Sequence, residues 1–126
     1  MKQLIECVPN FSEGRNMEVI RQITEVIEKA EGVKLLDVDP GATTNRTVVT
    51  FVGTPEEVVE TAVAVIAKAK ELIDMRNHHG DHPRFGATDV CPLVPVSNIT
   101  MEETAQYARK LAERVGNELG VPVYCY

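Results

Sequence analysis

The sequence predicts a mixed α/β protein of the α+β kind, a ferredoxin-like βαββαβ sandwich with an additional C-terminal helix and strand. Three observations predict it. Short apolar runs bounded by Pro, Gly and Asn alternate with longer segments of helical apolar spacing in the order β-α-β-β-α-β-α-β. Two capping-box signatures, Thr54-Pro55-Glu56-Glu57 and Thr100-Met101-Glu102-Glu103, mark helix starts. Pro92 and Pro95 assign the fourth strand to a sheet edge, because proline lacks the amide that a central strand donates, and the second and fourth strands are the edges of a split βαβ sandwich.

Each element has its own warrant. Leu4 to Val8 is an apolar run stopped by Pro9-Asn10, a first strand, after which Asn10 to Arg15 reads as a polar turn. Val19, Ile20, Ile23, Val26, Ile27 and Ala30 recur at helical spacing from Asn16 until Gly32. Val33 to Asp39 is a second strand, and simple alternation puts Asp37 and Asp39 on the face of Val33 and Leu35. Pro40 to Asn45 is a turn, and Arg46 to Gly53 is a Val/Thr/Phe-rich third strand. The second helix carries Val58, Ala62, Val65, Ile66, Ala69, Leu72 and Ile73 on one face. Asp89 to Val96 is the edge strand, with a bulge or strand end expected at Pro92 or Pro95. The third helix carries Ala105, Ala108, Leu111, Ala112, Val115 and Leu119 and stops at Gly120, before a last strand from Val121 to Tyr126. The helices should cover one sheet face and leave the other in need of a partner.

The chain has 126 residues, 44% of them hydrophobic, which suits one domain over residues 1–126 burying roughly two-thirds of its unfolded surface. A net charge of −6 with dispersed basic residues argues against a nucleic-acid or anionic-membrane partner and leaves room for a small acid. Cys7, Cys91 and Cys125 are odd in number and lack CxxC spacing, so they read as buried reduced thiols, a catalytic cysteine being the sharper alternative. Met1 to Glu6 lacks the apolar core of a signal peptide and no run approaches membrane-spanning length, so a cytoplasmic location is expected.

All three histidines, His78, His79 and His82, fall in Asn77-His78-His79-Gly80-Asp81-His82-Pro83-Arg84-Phe85-Gly86. Histidine alone has an ordinary pKa that moves protons both ways near neutrality, so this stretch is the active-site candidate. Two plainer readings compete. His78 and His82 at i, i+4 with Asp81 resemble a metal site, but Gly80 and Pro83 oppose the helix that would pair them, and no zinc is expected. His78 and His79 also suit capping of the preceding helix, where a cation meets the carbonyl dipole. His82, between Asp81 and Pro83, has no such role. Asp39 and Arg46 can approach across the Pro40–Asn45 turn, either as a plain ion pair or as binding groups.

A family resemblance rests on Glu6-Cys7-Val8-Pro9-Asn10-Phe11-Ser12-Glu13-Gly14-Arg15, on Asp37-Val38-Asp39, on Asn45-Arg46-Thr47 through Thr50-Phe51-Val52-Gly53, and on the histidine stretch. It continues through Asp89-Val90-Cys91-Pro92 to Val121-Pro122-Val123-Tyr124. Together these resemble the N-terminal subdomain of the glutamate formiminotransferases, folate-dependent enzymes of histidine degradation. The resemblance implies transfer of a formimino group from N-formiminoglutamate to N5 of tetrahydrofolate, a co-substrate, with no metal. It makes His82 the catalytic proton shuttle. It makes Arg46 and Arg84 the groups that suit substrate carboxylates, and Asn10, Asp39, Asn45 and His79 further substrate- or folate-binding candidates. Such enzymes continue into a second subdomain, so a second subdomain or a homo-oligomer is the expected partner. The alternative is a stand-alone folate-binding or partner-binding module without activity of its own.

Overall fold

A computed structural model describes residues 2–73 and 88–119. The elements follow the order β1 (Leu4–Cys7), β2 (Asn10–Phe11), α1 (Met17–Glu28), β3 (Val33–Gly41), β4 (Arg46–Gly53), α2 (Pro55–Leu72), β5 (Thr88–Val90), β6 (Leu93–Ser97) and α3 (Met101–Leu119). The histidine stretch and the expected last strand, Val121 to Tyr126, lie outside the described residues.

β4 is the centre of an antiparallel sheet. β3 pairs along one side of it, while β1 and then β2 pair along the other. Beyond them, β6 pairs with β1 and β5 with β2. β1 with β2, and β5 with β6, are therefore each one strand broken by two residues, Val8-Pro9 and Cys91-Pro92 respectively. Counted that way, the spatial order is fourth, first, third, second, the ferredoxin-like order. The expected edge position of the Pro92/Pro95 segment holds: among the described residues it pairs only with β1 and β2, and it breaks at Pro92. The Pro92 carbonyl still takes part, accepting the Val8 N–H at 3.1 Å.

Three sequence expectations change. Asn10-Phe11 is a short strand rather than part of a turn, because the Pro9 carbonyl accepts the Val49 N–H at 3.0 Å and carries the ladder across the break. In β3 the register slips between Leu35 and Asp37, a bulge that resets the alternation. Val33, Leu35 and Val38 thus pack against the core, while Asp37 and Asp39 are exposed, so the carboxylates do not extend the apolar face. In α3 it is Thr104 that is buried and Ala105 that is exposed, since Thr104 satisfies its hydroxyl on the Thr100 carbonyl at 2.8 Å.

The three described helices lie on one face of the sheet. Ile5, Cys7, Phe11, Val49 and Phe51 point from the strands into a core completed by Ile23 and Ile27 of α1, Val58, Ala62, Val65 and Ala69 of α2, and Leu111 and Val115 of α3. α2 lies between the others and buries a wider stripe than the sequence predicted, adding Val59 and Val63. Complete burial of a side chain such as Phe51 contributes about 1.5–3 kcal/mol relative to exposure. The opposite sheet face carries Leu36, Val94 and Val96, which are 48%, 43% and 52% exposed.

Candidate functional site

Opposed residues on neighbouring antiparallel strands share a face, so the register fixes what the side away from the described helices presents. Asp39 lies opposite Val48, and Val48 opposite Asn10, which makes a row of Asp39, Val48 and Asn10 across three strands. Arg46, two residues before Val48 on β4, points to the same face and lies opposite Gly41. Asp39 and Arg46 are diagonal neighbours in this register. Three of the sequence-predicted binding residues, on three separate segments, are thus brought to one end of the open face. His79, His82 and Arg84 lie outside the described residues. The chain re-enters the description at Thr88, which pairs with Phe11, while Val90 pairs with Asn10.

Asn10 is 9% exposed and its side-chain amide donates to the Val8 carbonyl at 3.0 Å, which fixes the side chain beside the strand break. Asn45 is placed differently. Its backbone is left-handed at φ 51°, a region that Asn tolerates, and it closes the turn by donating its N–H to the Ala42 carbonyl at 3.2 Å. It is 6% exposed, and its carboxamide oxygen accepts the Gly14 N–H at 2.8 Å. Asn45 therefore ties the turn after β3 to the loop after β2.

That junction is closely fitted. A Cβ on Gly14 would lie 2.2 Å from the Gly41 carbonyl oxygen and 2.5 Å from the Arg46 nitrogen, so only glycine lets the two backbones meet. The Thr47 hydroxyl donates to the Glu13 carbonyl, and the Arg15 Nε donates to the Ala42 carbonyl at 2.8 Å. The Glu13 carboxylate accepts the Arg15 and Asn16 amides at 3.0 and 2.9 Å, and Asn16 caps α1 through the Glu18 and Val19 amides. Sequence reasoning saw residues 10–15 as a polar turn and missed Glu13, Gly14, Arg15 and Thr47 as its fasteners. The available signal was the left-handed propensity of Asn45 beside the Pro40-Gly41 turn. Arg46 therefore leaves a braced junction, with its starting point fixed by Gly14, Asn45 and Thr47.

Among the described residues no group of three or more His, Cys, Asp or Glu side chains is placed to hold a metal ion, and no helix is long and apolar enough to cross a membrane. What this end of the sheet offers is a carboxylate, a carboxamide and a guanidinium on a flat, partly apolar floor. Such groups can meet both hydrogen-bonding and anionic partners.

An antiparallel sheet in ferredoxin-like order, with the described helices on one face and Asp39, Asn10 and Arg46 on the other, defines an α+β, ferredoxin-like domain. Within that class the chain belongs to the formiminotransferase domain, N-terminal subdomain, family, whose description matches residues 4–126. It is 60% identical over 126 residues to the formimidoyltransferase-cyclodeaminase of Gallus gallus, covering 100% of this chain and 23% of that protein. It is 45% identical over 126 residues to the glutamate formimidoyltransferase of Streptococcus pyogenes serotype M1, covering 100% of this chain and 42% of the relative. The glutamate formimidoyltransferase of Thermoplasma acidophilum is 50% identical over 123 residues. The chain thus spans less than half the length of these relatives.

Proposed function

We propose that this chain supplies one wall of a formimino-transfer site, in which a formimino group passes from N-formiminoglutamate to N5 of tetrahydrofolate in the degradation of histidine. The observation that carries this reading is the array of Asp39, Asn10 and Arg46 on the open sheet face, in a family of formiminotransferase subdomains. In the reaction, N5 attacks the formimino carbon, the bond from that carbon to the glutamate nitrogen breaks, a proton leaves N5 and one is delivered to the departing nitrogen. His82 is assigned that two-way transfer on the chemistry of its sequence setting. Arg46 and Arg84 hold carboxylates, and Asn10, Asp39 and His79 meet the polar edge of the pterin or the formimino nitrogens. Asn45 belongs to the same site as a brace, its carboxamide oxygen engaged by Gly14.

The exposed Leu36, Val94 and Val96 favour a second reading, in which the chain is a binding module that meets a second subdomain or another copy of itself before any chemistry occurs. One experiment separates the two. Formimino transfer and tetrahydrofolate binding are measured with the chain alone and after addition of the separately produced remainder of a glutamate formimidoyltransferase. Transfer that arises in either condition supports the enzyme reading, and folate binding without transfer in both supports the module. Neither transfer nor folate binding in either condition would refute the enzyme reading, and no association in sedimentation of the same mixtures would refute the module.

A further inference from the structure

Cys7 and Cys91 are 84 residues apart in the sequence, and their Sγ atoms lie 3.4 Å apart. Cys7 ends β1 on the helix-facing side and is 0% exposed, whereas Cys91 occupies the break between β5 and β6 and is partly exposed. The surrounding register is fixed on both sides: Cys7 opposes Leu93, and the Val8 N–H bonds to the Pro92 carbonyl. We propose that Cys7 and Cys91 are a thiol pair that closes to an intramolecular disulfide when the protein meets a low-molecular-weight disulfide such as oxidised glutathione. This makes the strand break a modification site, independent of the formiminotransferase reading.

A disulfide requires the two sulfurs to approach to about 2.05 Å. The closure of roughly 1.4 Å that this implies falls to Cys91, which sits in the break between β5 and β6 while Cys7 stays paired in β1. The roles of the two thiols differ. Cys91 reaches solvent and is the attacking group: as thiolate it displaces one glutathione thiolate from glutathione disulfide and becomes a mixed disulfide. Cys7 then attacks the Cys91 sulfur, the second glutathione leaves as the thiolate, and the Cys7 proton goes to that leaving group. Two protein thiols and one glutathione disulfide thus become one protein disulfide and two glutathione thiols. Burial, and next the hydrogen bond and charge of Cys91, push the Cys7 thiol well above its ordinary pKa, so Cys7 does not initiate, and its attack on the mixed disulfide rests on the short distance to the Cys91 sulfur.

The test uses the 126-residue chain carrying Cys125→Ser, so that Cys7 and Cys91 are the only thiols. The dilute protein is incubated with glutathione disulfide, blocked with iodoacetamide and examined by intact mass and non-reducing peptide mapping. The expected product has lost two hydrogens, retains no glutathione and yields a peptide linked through Cys7 and Cys91. Adding Cys7→Ala should trap glutathione on Cys91, and adding Cys91→Ser should leave Cys7 unmodified in the folded protein. A stable glutathione adduct on Cys91 with Cys7 still reduced, or no reaction at Cys91, overturns the proposal. Should Cys7→Ala fail to fold, the product formed with both cysteines present still decides the matter.

Discussion

Asn45 and Gly14 show how much of the site rests on contacts within the chain itself. The Gly14 amide reaches the Asn45 carboxamide because Gly14 lacks a Cβ that would collide with the backbone of Gly41 and Arg46. Both obstacles are backbone, which cannot swing aside. Gly14→Ala should therefore lower stability by about 1–3 kcal/mol, read as a shift in the denaturation midpoint, and weaken folate binding by displacing Arg46. An unchanged midpoint would show that the junction is looser than its geometry. For His82, whose setting the sequence alone supplies, His82→Ala in a complete active assembly should lower turnover by roughly 10²–10⁴-fold with little change in folate binding. His78→Ala and His79→Ala should be milder, and near-normal turnover in the His82 variant would remove the proton shuttle. The polarity of Asn10, Asp39, Asn45 and Arg46 was legible in the sequence. That Asn45 turns toward Gly14 was not, because the contact joins residues 31 apart in the chain.

Elements repeat the lesson with different outcomes for the same signature. Thr100 and Glu103 form a full capping box, with the Thr100 N–H donating to Glu103 at 3.0 Å and the Glu103 N–H donating to the Thr100 hydroxyl at 3.1 Å. Thr54, in the same sequence pattern, makes no side-chain cap bond. Pro55 supplies the preset first helical position instead, and Glu57 is drawn over Gly32, where an added Cβ would lie 1.1 Å from its carboxylate. Thr100→Ala should thus cost about 1 kcal/mol in chemical denaturation, whereas Thr54→Ala should cost clearly less. The Thr100 amide and hydroxyl hold the Glu103 carboxyl below its ordinary pKa. A depressed carboxylate pKa contributes stability above the ordinary carboxylate range, and that contribution is lost as pH falls through the depressed value. The stability gap between the wild type and Glu103→Gln should therefore be present at neutral pH and close in acid. A gap that stays constant would mean that the charge is irrelevant to the cap. The bulge at Leu36 did leave a trace in the sequence, the apolar doublet Leu35-Leu36 that puts Val38 out of phase with Val33 and Leu35, but only the register against Phe51 and Thr50 shows that the doublet is a bulge.

At the scale of the molecule, the sheet order was legible from element order and from the two prolines, because a strand short of amides has few places to go. The described helices lie on one face, and among the described residues Leu36, Val94 and Val96 stay open to solvent on the other. Val94 opposes Glu6, which in turn opposes Val52, so the apolar groups are interleaved with charge rather than massed. That pattern suits a surface which is soluble alone and pairs selectively. The chain should accordingly sediment above its 13.9 kDa monomer mass as concentration rises. Val94→Lys with Val96→Lys should hold it at the monomer mass without moving its unfolding midpoint, since both side chains lie outside the core and lysine is the usual guard of an edge strand. If the wild type sediments as a monomer throughout, or if the paired lysines lower the unfolding midpoint as much as a core substitution would, the open face is not the interface, and association through Leu36, Val94 and Val96 has to be abandoned.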